Sequence, residues 1–278
     1  MRFGLDVSQH QLMWDEILDR VRFSETAGFD GAWVFDHFKP LYGDSTGPCF
    51  EGWTLLAALA AATDRIRLGT LVSGVTYRHP SVLTAEAVTV DHVSNGRLEF
   101  AVGAAWFDRE HHELGIDFPS NGERVTRLQE ALEVMRLLMT ESAVSYDGKY
   151  YELKNADYNP KPVQKPHPPI WIGGGGERRM LPLAARKADM WHGFGDVATL
   201  KRKSKQIDDH AEKAGRDPAA IGRSTSLSLS EDWSEVRGRI EALDAAGFSY
   251  LTVSWPSEGK ARLDEFVDKV MPDYAEAS

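Results

Sequence analysis

A chain of 278 residues, 42% hydrophobic and 27% charged, is long enough for one large α/β domain or two ordinary ones and has the composition of a globular protein. Its 32 Lys and Arg against 42 Asp and Glu give a formal charge of −10 with no basic stripe, which argues against a nucleic-acid partner. Cys49 is the single cysteine, so an internal disulfide and a cysteine-rich metal site are excluded.

Taken in chain order, strand and helix signals alternate. The opening "RFGLDV" reads as a strand with no signal-peptide h-region before it. "MWDEILDRVRFSETAG" is a helix with apolar Trp14, Ile17, Leu18, Val21 and Ala27, closed by Gly28. "GAWVFD" is a buried strand, followed by the helix "EGWTLLAALAAAT". The run "TLLAALAAAT" is the longest apolar stretch and is too short to span a bilayer, so we expect no membrane partner and a cytoplasmic location. "RIRLGTLVS" leads to the helix "SVLTAEAVTVDHVS", and "RLEFAVG" leads to "RVTRLQEALEVMRLLMTE".

The alternation pauses over residues 142–168. "VSYDGKYYELKNADY" reads as a β-hairpin turning at Asp147-Gly148, and "NPKPVQKPHPP" is a proline-dense connector. The repeat then resumes with "PIWIGG" and "ERRMLPLAARKA", "DMWHGF" and "LKRKSKQIDDHAEKAG", "GRSTSLSLS" and "DWSEVRGRIEALDAAG", and finally "SYLTVSW" and "ARLDEFVDKVM". That makes about eight strand–helix units, the size and rhythm of a (β/α)8 TIM barrel with an insertion around residues 142–168. An open doubly wound sheet would also alternate, but it wants a glycine-rich turn after the first strand, where this chain has Ser8-Gln9-His10-Gln11. We expect a single barrel domain over residues 1–278.

A barrel places its active site on the loops after the strands. That rule selects Asp6 to Gln9, Asp36-His37, "TLVSGVTYRHP", "VGAAWFDREHH", "GGGGERR", "WHGFGD", Ser228 and Ser230, and Trp255. Asp36-His37 ends a buried strand with an acid and an imidazole. Adjacent strand residues point to opposite faces, so one of the two faces a ligand and the other holds it. Gly173, Gly174, Gly175 and Gly176 allow close backbone approach, and the helix start that follows suits an anion. Arg178 and Arg179, read as the first turn of that helix, oppose its dipole unless an anionic ligand is present. Gly103 and Trp106 offer a place for a ring to stack. "EHHELG" lacks the H-E-x-x-H order and reads as a solvated helix face, so no metal site is expected.

Together, "GFDGAWVFDHF", "RIRLGTLVSGVTYRHP", "VDHVSNGRLEFAVGAAWFDREHHELGIDFPS" and "PPIWIGGGGERRMLPLAARKADMWH" resemble the bacterial luciferase-like family, most of all its branch dependent on the deazaflavin coenzyme F420. The resemblance covers Met1 to about His192. It implies a coenzyme ring lying across the strand ends and bordered by Asp36 and His37. It also implies a strand-three bulge behind the ring, with a non-prolyl cis peptide at Leu71–Val72, and a phosphate-binding segment at Gly173–Gly176. The family commonly has glycine where this chain has Ala101 and Ala105. No lysine cluster for a sugar phosphate is evident.

The expected function is an oxidoreductase that moves a hydride between coenzyme F420 and a small organic substrate. His37 acts on the substrate and Asp36 positions it. Leu71, Val72, Ser73, Gly103, the four glycines and Arg178 hold the coenzyme. Trp106, Trp191 and His192 line the substrate side. The alternatives are an FMN-dependent monooxygenase of the same fold and a non-catalytic flavin-binding protein. Relatives are often dimers, which leaves a homodimer open here.

Overall fold

Eight parallel staves close into a barrel in the computed structural model, which describes residues 1–275. The staves run from β1 (Arg2–Asp6) and β2 (Gly31–Val34) through β3 (Arg67–Thr70), continued after a break by β4 (Ser73–Gly74), to β5 (Leu98–Gly103). After the excursion come β8 (Ile170–Gly173), β9 (Met190–Gly193), β10 (Gly222–Leu227) and β11 (Tyr250–Ser254). Neighbours pair in the order β3-β2-β1-β11-β10-β9-β8-β5-β4, and the β3–β5 pairing closes the ring. Helices α1 (Trp14–Thr26), α2 (Gly52–Ala61), α3 (Pro80–Val93), α5 (Asn121–Thr140), α6 (Met180–Lys187), α7 (Val197–Lys213), α8 (Trp233–Asp244) and α9 (Lys260–Lys269) alternate with the staves.

Strand alternation sorts the core into two sets. Outward-facing Phe3, Leu5, Leu68, Phe100, Ile172, Leu251 and Val253 pack among the helices. Inward-facing Trp33, Ala101, Trp171, Met190 and Tyr250 fill the barrel, with Leu71 and Val72 above them. The rings satisfy their own polar atoms: Trp33 Nε1 donates to Tyr250 Oη at 2.9 Å, and Trp171 Nε1 donates to Glu99 at 2.6 Å. Gly4 lacks a side chain because a Cβ there would collide with the Tyr250 hydroxyl. Large aromatics therefore fill the lower barrel, below the C-terminal mouth.

The excursion is the expected hairpin, β6 (Val144–Asp147) and β7 (Glu152–Ala156). Its turn is wider than Asp147-Gly148 alone, with Gly148 N donating to Tyr151 O. The proline connector follows, with Asn159–Pro160 and Lys165–Pro166 cis. The helix read at "EHHELG" is α4 (Asp108–Leu114), seven residues in the loop after β5 and additional to the strand–helix rhythm. Among the described residues, no helix is long and apolar enough to cross a membrane.

Candidate functional site

The barrel mouth opens into a cleft of about 990 Å³, within the range of small-molecule sites. Every stave but the last supplies lining: Asp6 and Ser8, Phe35 and His37, Leu71 and Val72, Gly103 to Trp106, Gly173 to Arg179, His192 and Phe194, and Ser226. The strand-three bulge is present, and its Leu71–Val72 peptide is cis. Val72 packs on the staves beside it: a Cβ at Gly103 would lie 2.8 Å from Val72 Cγ2, and one at Gly173 would lie 2.9 Å from Val72 Cγ1. Only glycine at both positions lets the bulge sit this low. Ala105, where the resemblance expects glycine, adopts φ +61°, a left-handed conformation that disfavours a Cβ.

His37 is buried at the cleft wall and held by Glu110, from the segment expected to be a solvated helix face. Its Nδ1 lies 3.0 Å from Glu110 Oε1, on α4. Glu110 is fully buried. Its Oε1 also accepts from the Tyr77 hydroxyl at 2.5 Å, and its Oε2 accepts from the backbone N–H of Phe38 at 2.6 Å and of Lys39 at 2.8 Å. Burial alone would raise the Glu110 pKa, but the hydrogen bonds from His37 and Tyr77 and the facing imidazole together hold it below the ordinary range. Burial and Glu110 drive the Tyr77 hydroxyl pKa well upward, so it stays protonated and donates. With Nδ1 engaged, Nε2 is the His37 nitrogen left to the cleft. Trp106, Phe107, Phe35 and Tyr77 surround the imidazole edge-to-face at 5.3–6.1 Å.

The solvated reading of "EHHELG" is therefore corrected. His112 and Glu113 face solvent, but Glu110 and His111 turn inward. His111 anchors the short helix, with Nε2 2.7 Å from Thr76 Oγ1 and Nδ1 2.8 Å from Phe107 O, and it stacks on Tyr77 at 4.7 Å.

Asp36 does not position His37. The backbone turns the two side chains apart, and Asp36 is buried beneath the wall against Arg78 at 2.7 Å. Arg78 also pairs with Glu51, the N-cap of α2, and with Glu86 of α3 at 2.9 Å. One guanidinium thus serves three carboxylates. Burial is the main reason Asp36 is pushed above the ordinary carboxylate range. Glu86 is raised to about 7, chiefly by burial and also by Asp36 and Glu51, despite Arg78.

Other expectations divide. Ser73 turns away from the cleft: its hydroxyl accepts from Trp53 Nε1 and contacts Thr70 Oγ1, each at 2.8 Å. Trp191 is not on the substrate side. Its neighbour His192 faces inward, so alternation sends the indole outward against Phe248, where Nε1 donates to Gly174 O at 2.8 Å. His192 does line the cleft. Trp106 stands on the rim, 60% exposed. Gly173 to Gly176 and Arg178 also line it, but Arg178 and Arg179 lie in a turn before α6 rather than in its first turn. Arg179 is tied to α5 through Gly122 O and Thr126 Oγ1. Lys203 of α7 reaches the same loop: a Cβ on Gly175 would lie 2.5 Å from its Nζ. Cys49 has its thiol pushed up to about 12 by burial and Glu110, so it is not a thiolate nucleophile.

Comparison with known proteins places this geometry. An uncharacterised protein of Mycobacterium tuberculosis is 33% identical over 211 residues, covering 70% of this chain and 73% of that protein. An F420-dependent glucose-6-phosphate dehydrogenase of Microbacterium testaceum is 33% identical over 220 residues, covering 78% of this chain and 64% of that enzyme. Among solved structures, an F420-dependent secondary alcohol dehydrogenase bound to an F420–acetone adduct superposes with a TM-score of 0.89 over 99% of both chains at 22% identity, a likeness of fold. The luciferase-like monooxygenase family model matches residues 1–244, and the chain belongs to that family.

Proposed function

We propose that this protein is an oxidoreductase that binds coenzyme F420 and moves a hydride between it and a small, uncharged organic substrate, an alcohol or the corresponding carbonyl compound. The observation that carries the reading is the His37–Glu110–Tyr77 group at the edge of a cleft whose other staves carry a glycine loop and cations. The F420-dependent relative at 33% identity supports the choice of coenzyme.

The residues fit the group. Gly103 and Gly173 let Val72 form a low platform for a flat ring. Gly175 and Gly176, with Arg178 and Lys203 beside them, suit a phosphate through backbone N–H groups and positive charge, while Gly173 and Gly174 shape the loop. The bound coenzyme supplies a ring carbon that gives or takes a hydride. His37 Nε2 takes the hydroxyl proton of an alcohol, or returns it to the oxygen of a carbonyl compound. Glu110 fixes the imidazole through Nδ1 and stabilises the positive charge it gains. Trp106, Phe194 and Tyr42 stand largely exposed around the mouth, where they would pack on a bound ligand. The charged side chains lining the cleft are Asp6, Glu177, Arg178 and Arg179, and both arginines sit by the glycine loop. The part of the cleft by His37 and Asp6 therefore has no cation to receive a substrate phosphate.

The test is anaerobic. Enzyme loaded with oxidised F420 is mixed with a panel of secondary alcohols and with glucose 6-phosphate, and coenzyme reduction is followed optically. We expect turnover of at least one alcohol and a kcat/KM for the sugar phosphate roughly a hundredfold lower, about 2.7 kcal/mol of discrimination. Preference for the sugar phosphate would overturn the substrate assignment.

A further inference from the structure

His192 is a buried polar group at the mouth whose hydrogen-bonding capacity is half used. It is fully buried in β9 and lines the cleft. Nδ1 is engaged by Ser224 Oγ of β10 at 2.8 Å, and the two residues are register partners. Nε2 is buried and has no hydrogen-bond partner. A buried polar nitrogen without a partner costs free energy, and a side chain fixed from behind by a neighbouring strand keeps that atom aimed in one direction. Burial drives the imidazole pKa down to about 3, so the ring stays neutral and keeps one donor and one acceptor nitrogen.

Its place in the ring of staves narrows the ligand. In the order β1, β2, β3, β5, β8, β9, β10, β11, the stave of His192 stands opposite that of His37. His192 also lies within its strand, whereas His37 lies beyond the end of β2, so His192 is at the deep side of the mouth. Gly173, the register partner of His192 on the other side, carries Val72 close by. A flat ring resting on Val72 with its reactive face toward His37 would present an edge to this wall. The proton-handling group is thus on one side and the unsatisfied nitrogen on the other.

We propose that His192 Nε2 hydrogen-bonds the polar, carbonyl-bearing edge of the coenzyme ring, with Ser224 fixing its orientation, and that His192 is a coenzyme-binding residue rather than a substrate-side one. This rests on the F420 reading above. It makes Ser224, buried and out of reach of the cleft, a positioning residue for binding.

The experiment is a fluorescence titration of the full chain with oxidised F420, with the absorption spectrum of the bound coenzyme recorded in parallel. His192→Leu removes the nitrogen, His192→Gln keeps a side-chain amide able to bond at that place, and Ser224→Ala removes the hold from behind. We expect the dissociation constant to rise at least about tenfold in His192→Leu and about threefold in Ser224→Ala, with His192→Gln within about threefold of the unaltered protein. The bound-coenzyme absorption should shift in His192→Leu only. Where His192→Leu does not fold, as read by circular dichroism, Ser224→Ala and His192→Gln decide. An unchanged dissociation constant with an altered substrate KM would place His192 on the substrate and overturn the proposal, as would equal weakening by Leu and Gln in folded variants. Failure of the unaltered protein to bind F420 would instead overturn the reading on which the proposal rests.

Discussion

Among single residues, the proposed chemistry turns on His37 and on what holds it. A His at a strand end is visible in sequence because the barrel rule picks out that position before any contact is known. Its partner is not visible. Glu110 lies 73 residues downstream, and "EHHE" has the look of a solvated helix face. Nothing in the local pattern says that Glu110 and His111 face in while His112 and Glu113 face out. Asp36, the neighbour in sequence, was the natural but mistaken choice, because alternation sends it behind the wall to Arg78. The consequence is measurable. Replacing His37 with Ala should lower kcat by about 10²- to 10⁴-fold, the usual contribution of a positioned acid or base. Glu110→Gln loses a charge-assisted hydrogen bond of about 1.5–3 kcal/mol and should lower kcat by roughly tenfold to a hundredfold. Both should leave the F420 dissociation constant within about threefold, read by the same titration.

At the scale of elements, the alternation of strands and helices was legible almost throughout, including the hairpin of residues 144–156, because each element carries its own hydrophobic period and end signals. The inward face of the seven-residue α4 was not, since it depends on the contacts of His111 with Thr76 and Phe107 rather than on a period of its own. The joints between elements were equally hidden. Arg78 ties the end of β2, the N-cap of α2 and the middle of α3 into one point, next to Tyr77, which donates to Glu110. Replacing Arg78 with Met leaves buried Asp36 uncompensated and should cost about 3–5 kcal/mol in urea unfolding. The junction of β8 with the bulge is as tight. Gly173→Ala puts a methyl 2.9 Å from Val72 Cγ1 and should cost about 1–3 kcal/mol of stability. It should also weaken F420 binding by raising the platform, which a variant altered only at the rim, such as Trp106→Ala, would not do through that route.

At the scale of the whole molecule, a closed barrel collects side chains from remote parts of the chain at one mouth, and its charge pattern gives stability a defined pH dependence. Glu86 ordinarily titrates near 4.5 and is raised to about 7 in the fold, mainly by burial. Below pH 4.5 it is protonated whether folded or unfolded; between 4.5 and 7 the folded protein holds the extra proton, so this group makes stability fall as pH rises through that window. The apparent Tm should therefore decline less steeply from pH 5 to 7 in Glu86→Gln than in the unaltered protein; equal slopes would remove Glu86 from the account. The fold and the glycine loop could be read from sequence because they are written in consecutive residues. The Arg78 joint, Lys203 at the loop and the half-used His192 could not, because each depends on which staves become neighbours when the ring closes. The proposed activity requires that this mouth take a deazaflavin for hydride transfer. Side-by-side anaerobic titrations with F420 and FMN, followed by admission of oxygen to the reduced complexes, test it most directly. F420 should bind at least about tenfold more tightly, and its reduced complex should take up no oxygen in turnover; tighter binding of FMN, with oxygen consumed on reduction, would overturn the assignment.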